Sequence, residues 1–153
     1  PCQARAETRY AGSDAMFVPQ IQNDWYSLAR DDSRCIVRLR RTSRRHASPA
    51  ELEQSFAVLF VDMERVLPAE QRGRYGLLQD MRAAPRLDSP ELEALMRRLV
   101  TRFAAGWRRR AIVVQTPIGK LQARRTVWTN AQDGGVEIFS DEIEALNYLQ
   151  AGG

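Results

Sequence analysis

The amino-acid sequence predicts a single α/β domain in which about four helices cover a mostly parallel sheet of four to five strands. Short apolar runs of strand length alternate along the chain with longer segments whose apolar residues recur every three or four positions, as on one helix face. A serine or aspartate suited to capping precedes several of the helical segments. Because a helix between two strands carries the chain back across the sheet, this order favours parallel strands with covered faces.

The first predicted elements are an antiparallel hairpin and a helix. Trp25–Ala29 and Cys35–Arg40 are strand-like segments on either side of Asp31–Ser33, whose side chains favour a turn. Ser48 opens a capping box with proline at the first helical position, and the apolar stripe behind it predicts a helix that ends near Leu67. The hairpin therefore adds an antiparallel N-terminal edge to the predicted sheet.

A strand–helix–strand unit forms the predicted centre of the domain. Tyr75–Met81 is apolar enough for a mostly buried strand, and Ser89 caps a helix whose apolar stripe runs to Trp107. Ala111–Val114 has the length and composition of a strand at the centre of a parallel sheet.

The last predicted elements are a short helix, a strand and a final helix. The short helix is expected to turn Ile118, Leu121 and Trp128 inwards. Val136–Phe139 predicts the last strand, and Asp141 caps a final helix with an apolar face.

Length and composition predict an ordinary globular domain. We expect residues 1–20 to form a flexible leader and residues 21–153 to form the domain. No apolar run approaches the roughly 20 residues that span a bilayer, and no signal-peptide pattern stands at the start, so a cytoplasmic location is expected. Cys2 and Cys35 have no metal-binding spacing, and no cofactor is expected.

The net charge of +4 is the difference between 23 basic and 19 acidic residues. All of the basic residues except Lys120 are arginine. They are scattered, which favours codon usage over a dedicated phosphate site. The densest run lies between the hairpin and the first helix, and its arginines are candidates for binding an anion: Arg40, Arg41, Arg44 and Arg45. An anionic lipid surface, an acidic partner or plain solvent are open alternatives for this loop, whereas the absence of interleaved aromatic residues disfavours nucleic acid.

The sequence offers little material for catalysis. His46 is the only histidine, so no histidine-based triad can be assembled. Neither nucleotide-binding glycine motif is present. Asp80 and Asp88 could approach one another across the strand–helix turn, but acids at strand ends and helix caps are commonly structural. We therefore expect a protein that is not an enzyme.

The segment Gln79–Ser89 is similar to the strand–turn–helix centre of STAS domains, the fold of anti-sigma factor antagonists and sulphate-transporter tails. In that family a strand that ends in Asp-Leu is followed six or seven residues later by Asp-Ser at a helix start, and Asp80-Met81 and Asp88-Ser89 keep this register. The stretch from Trp107 to Leu149 resembles the SpoIIAA-like branch. Some members of the fold are also similar to lipid-carrying Sec14 domains.

The resemblance implies a non-catalytic, regulatory protein-interaction module that presents Ser89, Asp88 and Asp80 to a protein partner. In anti-sigma factor antagonists the serine at this position is phosphorylated. Those relatives continue with Ser/Thr-Gly, whereas this chain has Pro90-Glu91, which favours Ser89 as a plain helix cap.

The alternative function is a small lipid or anionic-ligand carrier at a membrane surface. Two structural features separate the two functions. A cavity of a few hundred Å³ beneath the helices would favour the carrier. A filled core with an exposed apolar patch near Leu87 and Leu92 would favour the interaction module.

Overall fold

The structure is a computed structural model that describes residues 16–128 and 135–151, with the side chains of 126–128 left out of the description. The strands are β1 (Val18–Gln22), β2 (Tyr26–Asp31), β3 (Ile36–Arg41), β4 (Gly76–Asp80), β5 (Arg109–Val113) and β6 (Val136–Phe139). The helices are α1 (Pro49–Val66), α2 (Pro90–Ala104), α3 (Pro117–Trp128) and α4 (Glu142–Gln150), with a short 3₁₀ helix at Ala69–Arg74.

The six strands form one sheet in the order β1-β2-β3-β4-β5-β6. The pairs β1–β2 and β2–β3 are antiparallel, and β3 to β6 are parallel. The predicted α/β class, the N-terminal hairpin and the parallel remainder are therefore confirmed. The two serine caps are also in place, because the side chains of Ser48 and Ser89 accept hydrogen bonds from the first turns of α1 and α2.

The strand β1 is an addition to the five strands that the sequence predicts. It begins at Val18, so the predicted leader over residues 1–20 extends too far into the domain. Phe17 is also buried, against the guanidinium groups of Arg34 and Arg38. The reason is that an edge strand needs only one neighbour and little apolar sequence, and this one pairs with β2 through its backbone. Residues 1–15 of the predicted leader lie outside the described residues.

The two faces of the sheet have different covers. On one, here called the α1–α2 face, buried side chains of β2, β3 and β4 pack against α1 and α2: Leu28, Val37, Leu77, Leu59, Met63 and Phe103. On the opposite α4 face, strand residues pack against three fully buried residues of α4: Ile36, Leu78, Ala111, Ala145, Leu146 and Leu149. Alternate residues along each strand thus serve two separate cores.

The predicted inner face of α3 is wrong. Ile118 and Leu121 are 47% and 55% exposed, and the side chain of Trp128 lies outside the description. The side of α3 that faces the sheet instead carries Gly119, Gln122 and Ala123, at the helical spacing of three and four. Because these residues are small or polar, α3 covers this end of the α1–α2 face without filling it.

None of the helices in the described part of the chain is long and apolar enough to cross a bilayer.

Candidate functional site

A cavity of about 230 Å³ lies between the carboxyl-terminal half of the α1–α2 face and the three helices α1, α2 and α3. Its floor is a row of three side chains that stand in register on β3, β4 and β5: Leu39, Gln79 and Ile112. Its walls are mainly apolar, and include Phe56 and Leu59 of α1 and Leu92, Met96 and Val100 of α2. In parallel sheets, the region beyond the carboxyl ends of the strands is the usual place for a ligand.

Gln79 is the unexpected residue of this floor. The alternation of β4 sends Leu77 and Gln79 to the α1–α2 face and Leu78 and Asp80 to the opposite face. Gln79 is only 4% exposed, and its Oε1 atom is buried without a hydrogen-bond partner. A buried amide oxygen with no partner is rare in native proteins and is found where a ligand or water completes the bonding.

Arg41 stands at the polar end of the cavity. It is the last residue of β3, and its guanidinium donates to the main-chain carbonyl oxygens of Trp25 and Arg44. Within the described residues it makes no ion pair with a carboxylate. Burial lowers the pKa of Arg41 from its ordinary value, because water is removed from a charge that no anion compensates. The side chain remains protonated at neutral pH.

His46 lies beside Arg41 and also borders the cavity. Its Nε2 atom is 2.9 Å from the Oγ atom of Ser55, and its ring stacks on Trp25 with 6.3 Å between the ring centroids. Burial lowers the pKa of His46, and the neighbouring positive charges of Arg41 and Arg44 lower it further, against an opposing effect of Glu51. The imidazole is therefore neutral at pH 7.

An ion pair lies at the opening of the cavity. Arg45, in the loop before α1, donates to Asp88, in the loop before α2, over 2.6 Å. Both side chains border the cavity and both are 67% exposed. The pair therefore connects the two loops across the solvent side of the site.

The remaining predicted arginines lie elsewhere and have carboxylate partners. Arg40 points to the α4 face, where its Nε atom donates to Asp80 over 2.9 Å. Arg44 forms ion pairs with Asp24 and Glu51, and its guanidinium lies over the ring of Trp25. The structure thus divides the predicted cluster between both faces of the sheet and the loop, and places Arg41 and Arg45 at the cavity.

The two predicted acids do not share a site. Asp80 is 3% exposed and accepts hydrogen bonds from Arg40 and Arg82, while Arg82 also pairs with Glu142 of α4. Burial by itself would raise the pKa of Asp80, but these hydrogen bonds outweigh burial and hold it below its usual range. Asp88 belongs to the separate pair at the cavity opening.

Ser89 is the N-cap of α2, with its Oγ atom accepting from the backbone N–H of Leu92 over 3.4 Å. Its hydroxyl oxygen thereby caps the helix start, while Leu92 itself forms part of the cavity wall. The described residues contain no group of three or more His, Cys, Asp and Glu side chains placed to hold a metal ion.

Sequence reasoning missed Gln79 and the position of His46. The signal for Gln79 is present, because it interrupts the apolar run of Leu77 and Leu78 in a strand expected to be buried on both faces. No comparable signal exists for His46, whose approach to Ser55 and Trp25 depends on how the loop before α1 folds back.

A largely parallel sheet with an antiparallel hairpin at its edge, covered by helices on both faces, gives this chain a SpoIIAA-like fold. The structure is similar to the crystal structure of an uncharacterised protein of the DUF3478 family with a SpoIIAA-like fold from Shewanella loihica PV-4. The two share 17% sequence identity and a TM-score of 0.57, over 91% of this chain and 99% of the other. No protein-family model and no curated protein matches the sequence.

Proposed function

We propose that this protein is a non-catalytic module that binds a small, largely apolar molecule in the cavity on its α1–α2 face. The observation that carries the proposal is the cavity itself, which has an apolar lining and borders Gln79, whose buried side-chain oxygen has no partner. At about 230 Å³ it is slightly smaller than the ~300–1,000 Å³ of typical ligand sites, so we expect a ligand with a single short chain or ring.

Leu87 and Leu92 favour this function over the interaction module. Both are half-buried and border the cavity, so they do not form the exposed apolar patch that a docking surface around α2 would need. The arginine cluster does not favour a membrane surface, because carboxylates already engage Arg40, Arg44 and Arg45.

A regulatory interaction with a protein partner is the second candidate. Asp88 favours it, because this residue belongs to the cavity wall and is also exposed at the start of α2. An occupant of the cavity would therefore touch a residue that a partner can contact from outside. This would make the surface at Asp88 and Ser89 responsive to the ligand.

Isothermal titration calorimetry with straight-chain alcohols from pentanol to dodecanol tests the first candidate. Each methylene that enters the cavity should strengthen binding by ~0.8 kcal/mol, or about fourfold, until the chain fills the available space. Affinity should then stop rising. If none of the alcohols binds, or if affinity rises without a limit as it does in partitioning to a nonspecific surface, the proposal is wrong.

The variant Ala123→Phe provides the structural control. Ala123 borders the cavity from α3, so a phenyl ring there should shorten the longest alcohol that still gains affinity. Ala94→Phe places the same side chain on an exposed position of α2 and should leave the series unchanged. Equal effects of the two variants would mean that the alcohols bind outside the cavity.

A further inference from the structure

The polar groups of the cavity indicate what kind of ligand it takes. Leu39 and Gln79 are register partners on β3 and β4, so Arg41 stands one side-chain row beyond Gln79 on the neighbouring strand. With strands ~4.8 Å apart and rows ~6.6 Å apart, the Cα atoms of Arg41 and Gln79 are separated by roughly 8 Å. Two long side chains at this separation can contact one small polar group between them once the Arg41 guanidinium turns from the Trp25 carbonyl, on the β2 side, towards β4.

The charge at this end of the cavity is uncompensated. Arg41 donates to two main-chain carbonyl oxygens, and no described carboxylate pairs with it. Arg45, in contrast, has its own carboxylate in Asp88. A cation withdrawn from water without a counter-ion is costly, and an anion that enters the cavity would supply the missing partner.

Gln79 adds a second group with unused hydrogen-bonding capacity. Its amide can present the oxygen or, after a half-turn, the two N–H donors to the cavity. The side chain is 4% exposed, so solvent outside the protein does not satisfy it. A polar group that enters the cavity can therefore pair with this amide, which borders it.

We propose that the cavity binds an apolar molecule that ends in a carboxylate, with one carboxylate oxygen accepting from the guanidinium of Arg41 and the other accepting from the side-chain N–H donors of Gln79. The inference rests on the proposed function, since it needs the apolar body to occupy the cavity. A carboxylate carries one negative charge and matches Arg41, the one partly buried arginine among the described residues that line the cavity. A phosphate monoester carries about 1.5 to 2 negative charges and would need a second buried cation. Arg86 also borders the cavity, but it is exposed, so solvent and salt screen its charge.

Calorimetry with octanoate, octyl phosphate and octanol separates the possible head groups. A hydrogen-bonded charge pair favours octanoate over octanol by at least about tenfold in affinity. Arg41→Met should remove this preference by weakening octanoate and leaving octanol nearly unchanged. Arg86→Met, the same substitution at an exposed position of the same cavity, should preserve the preference. Tighter binding of octyl phosphate than of octanoate would refute the proposal that the head group of the ligand is a carboxylate.

A measurement on the unmodified protein covers the case in which Arg41→Met does not fold. His46 is the only histidine of the chain, so its NMR titration can be assigned without ambiguity. Octanoate bound at Arg41 would raise the pKa of His46, because it places a negative charge beside the ring, whereas uncharged octanol would not raise it.

Two outcomes distinguish failure of the carboxylate head group from failure of the proposed binding function. Equal affinity for octanoate and octanol, with no rise in the pKa of His46, would refute the carboxylate head group. It would not contradict the binding of apolar molecules in the cavity. Failure of both compounds to bind would refute the inference and the proposed function together.

Discussion

Replacement of Gln79 by leucine should make the ligand-free protein more stable. The amide of Gln79 is buried with its oxygen unpaired between Leu39 and Ile112, and a buried polar group without a partner costs ~1–3 kcal/mol. Leucine has a similar volume, fits the apolar row and adds no group that needs a partner. For a chain of this size, ~1 kcal/mol corresponds to roughly 2–4 °C in Tm. We therefore expect a rise of several degrees and a higher urea midpoint with an unchanged slope.

The control for Gln79→Leu is Gln54→Leu. Gln54 is exposed on α1, and glutamine and leucine have almost equal helix propensities, so stability should change by less than ~0.5 kcal/mol. Urea unfolding followed by circular dichroism measures both variants. An unchanged or lower midpoint for Gln79→Leu alone would mean that the amide is satisfied in the free protein. The argument that it awaits a ligand would then be refuted.

Three further substitutions test the local structure. Ser89→Ala removes the N-cap of α2 and should cost ~1 kcal/mol in urea unfolding. Tyr26→Phe removes the hydroxyl that donates to buried Asp62 over 2.8 Å, and should cost ~1–3 kcal/mol because the carboxylate loses a partner. His46→Gln should flatten the pH dependence of stability below pH 7. The pKa of His46 in the folded protein lies below the ordinary ~6.5 of the unfolded chain, so the unfolded chain binds the proton first as the pH is lowered. The free energy of unfolding therefore falls as the pH drops below ~6.5.

Each of these three tests has its own contrary result. An unchanged midpoint for Ser89→Ala would mean that the 3.4 Å bond to Leu92 contributes nothing. Equal stability of Tyr26→Phe would mean that Asp62 finds compensation elsewhere. Parallel stability curves for the native protein and His46→Gln between pH 5 and pH 7 would show that the pKa of His46 is not lowered by folding.

The element order could be predicted from the sequence because each element carries a local signal. Ser48 and Ser89 mark the helix starts they were expected to mark, and the apolar runs on β3 to β6 have the expected length. The strand β1 has no such signal. It is an exposed edge strand with the residues VPQIQ, and only its backbone pairing with β2 defines it.

The site was harder to predict because it depends on the face of the sheet or helix to which each side chain points. Arg40 and Arg41 are adjacent in sequence, yet the alternation of β3 sends Arg40 to Asp80 on the α4 face and Arg41 to the cavity. For α3 the sequence predicted the helix but assigned the wrong side of it to the interior. Apolar residues were expected to face inwards, but Ile118 and Leu121 are exposed, and Gly119, Gln122 and Ala123 line the cavity instead.

The two faces of the sheet divide stability and binding between them. The α4 face is packed with residues that are completely buried, such as Leu78, Leu146 and Leu149, and their burial stabilises the sheet. The carboxyl-terminal end of the α1–α2 face is left open, and it contains Gln79 and Arg41, both of which reduce the stability of the empty protein. A ligand that satisfies both would stabilise the folded state in proportion to its own affinity and concentration. Octanoate should therefore raise Tm in the native protein more than in Gln79→Leu, although the variant begins from the higher Tm.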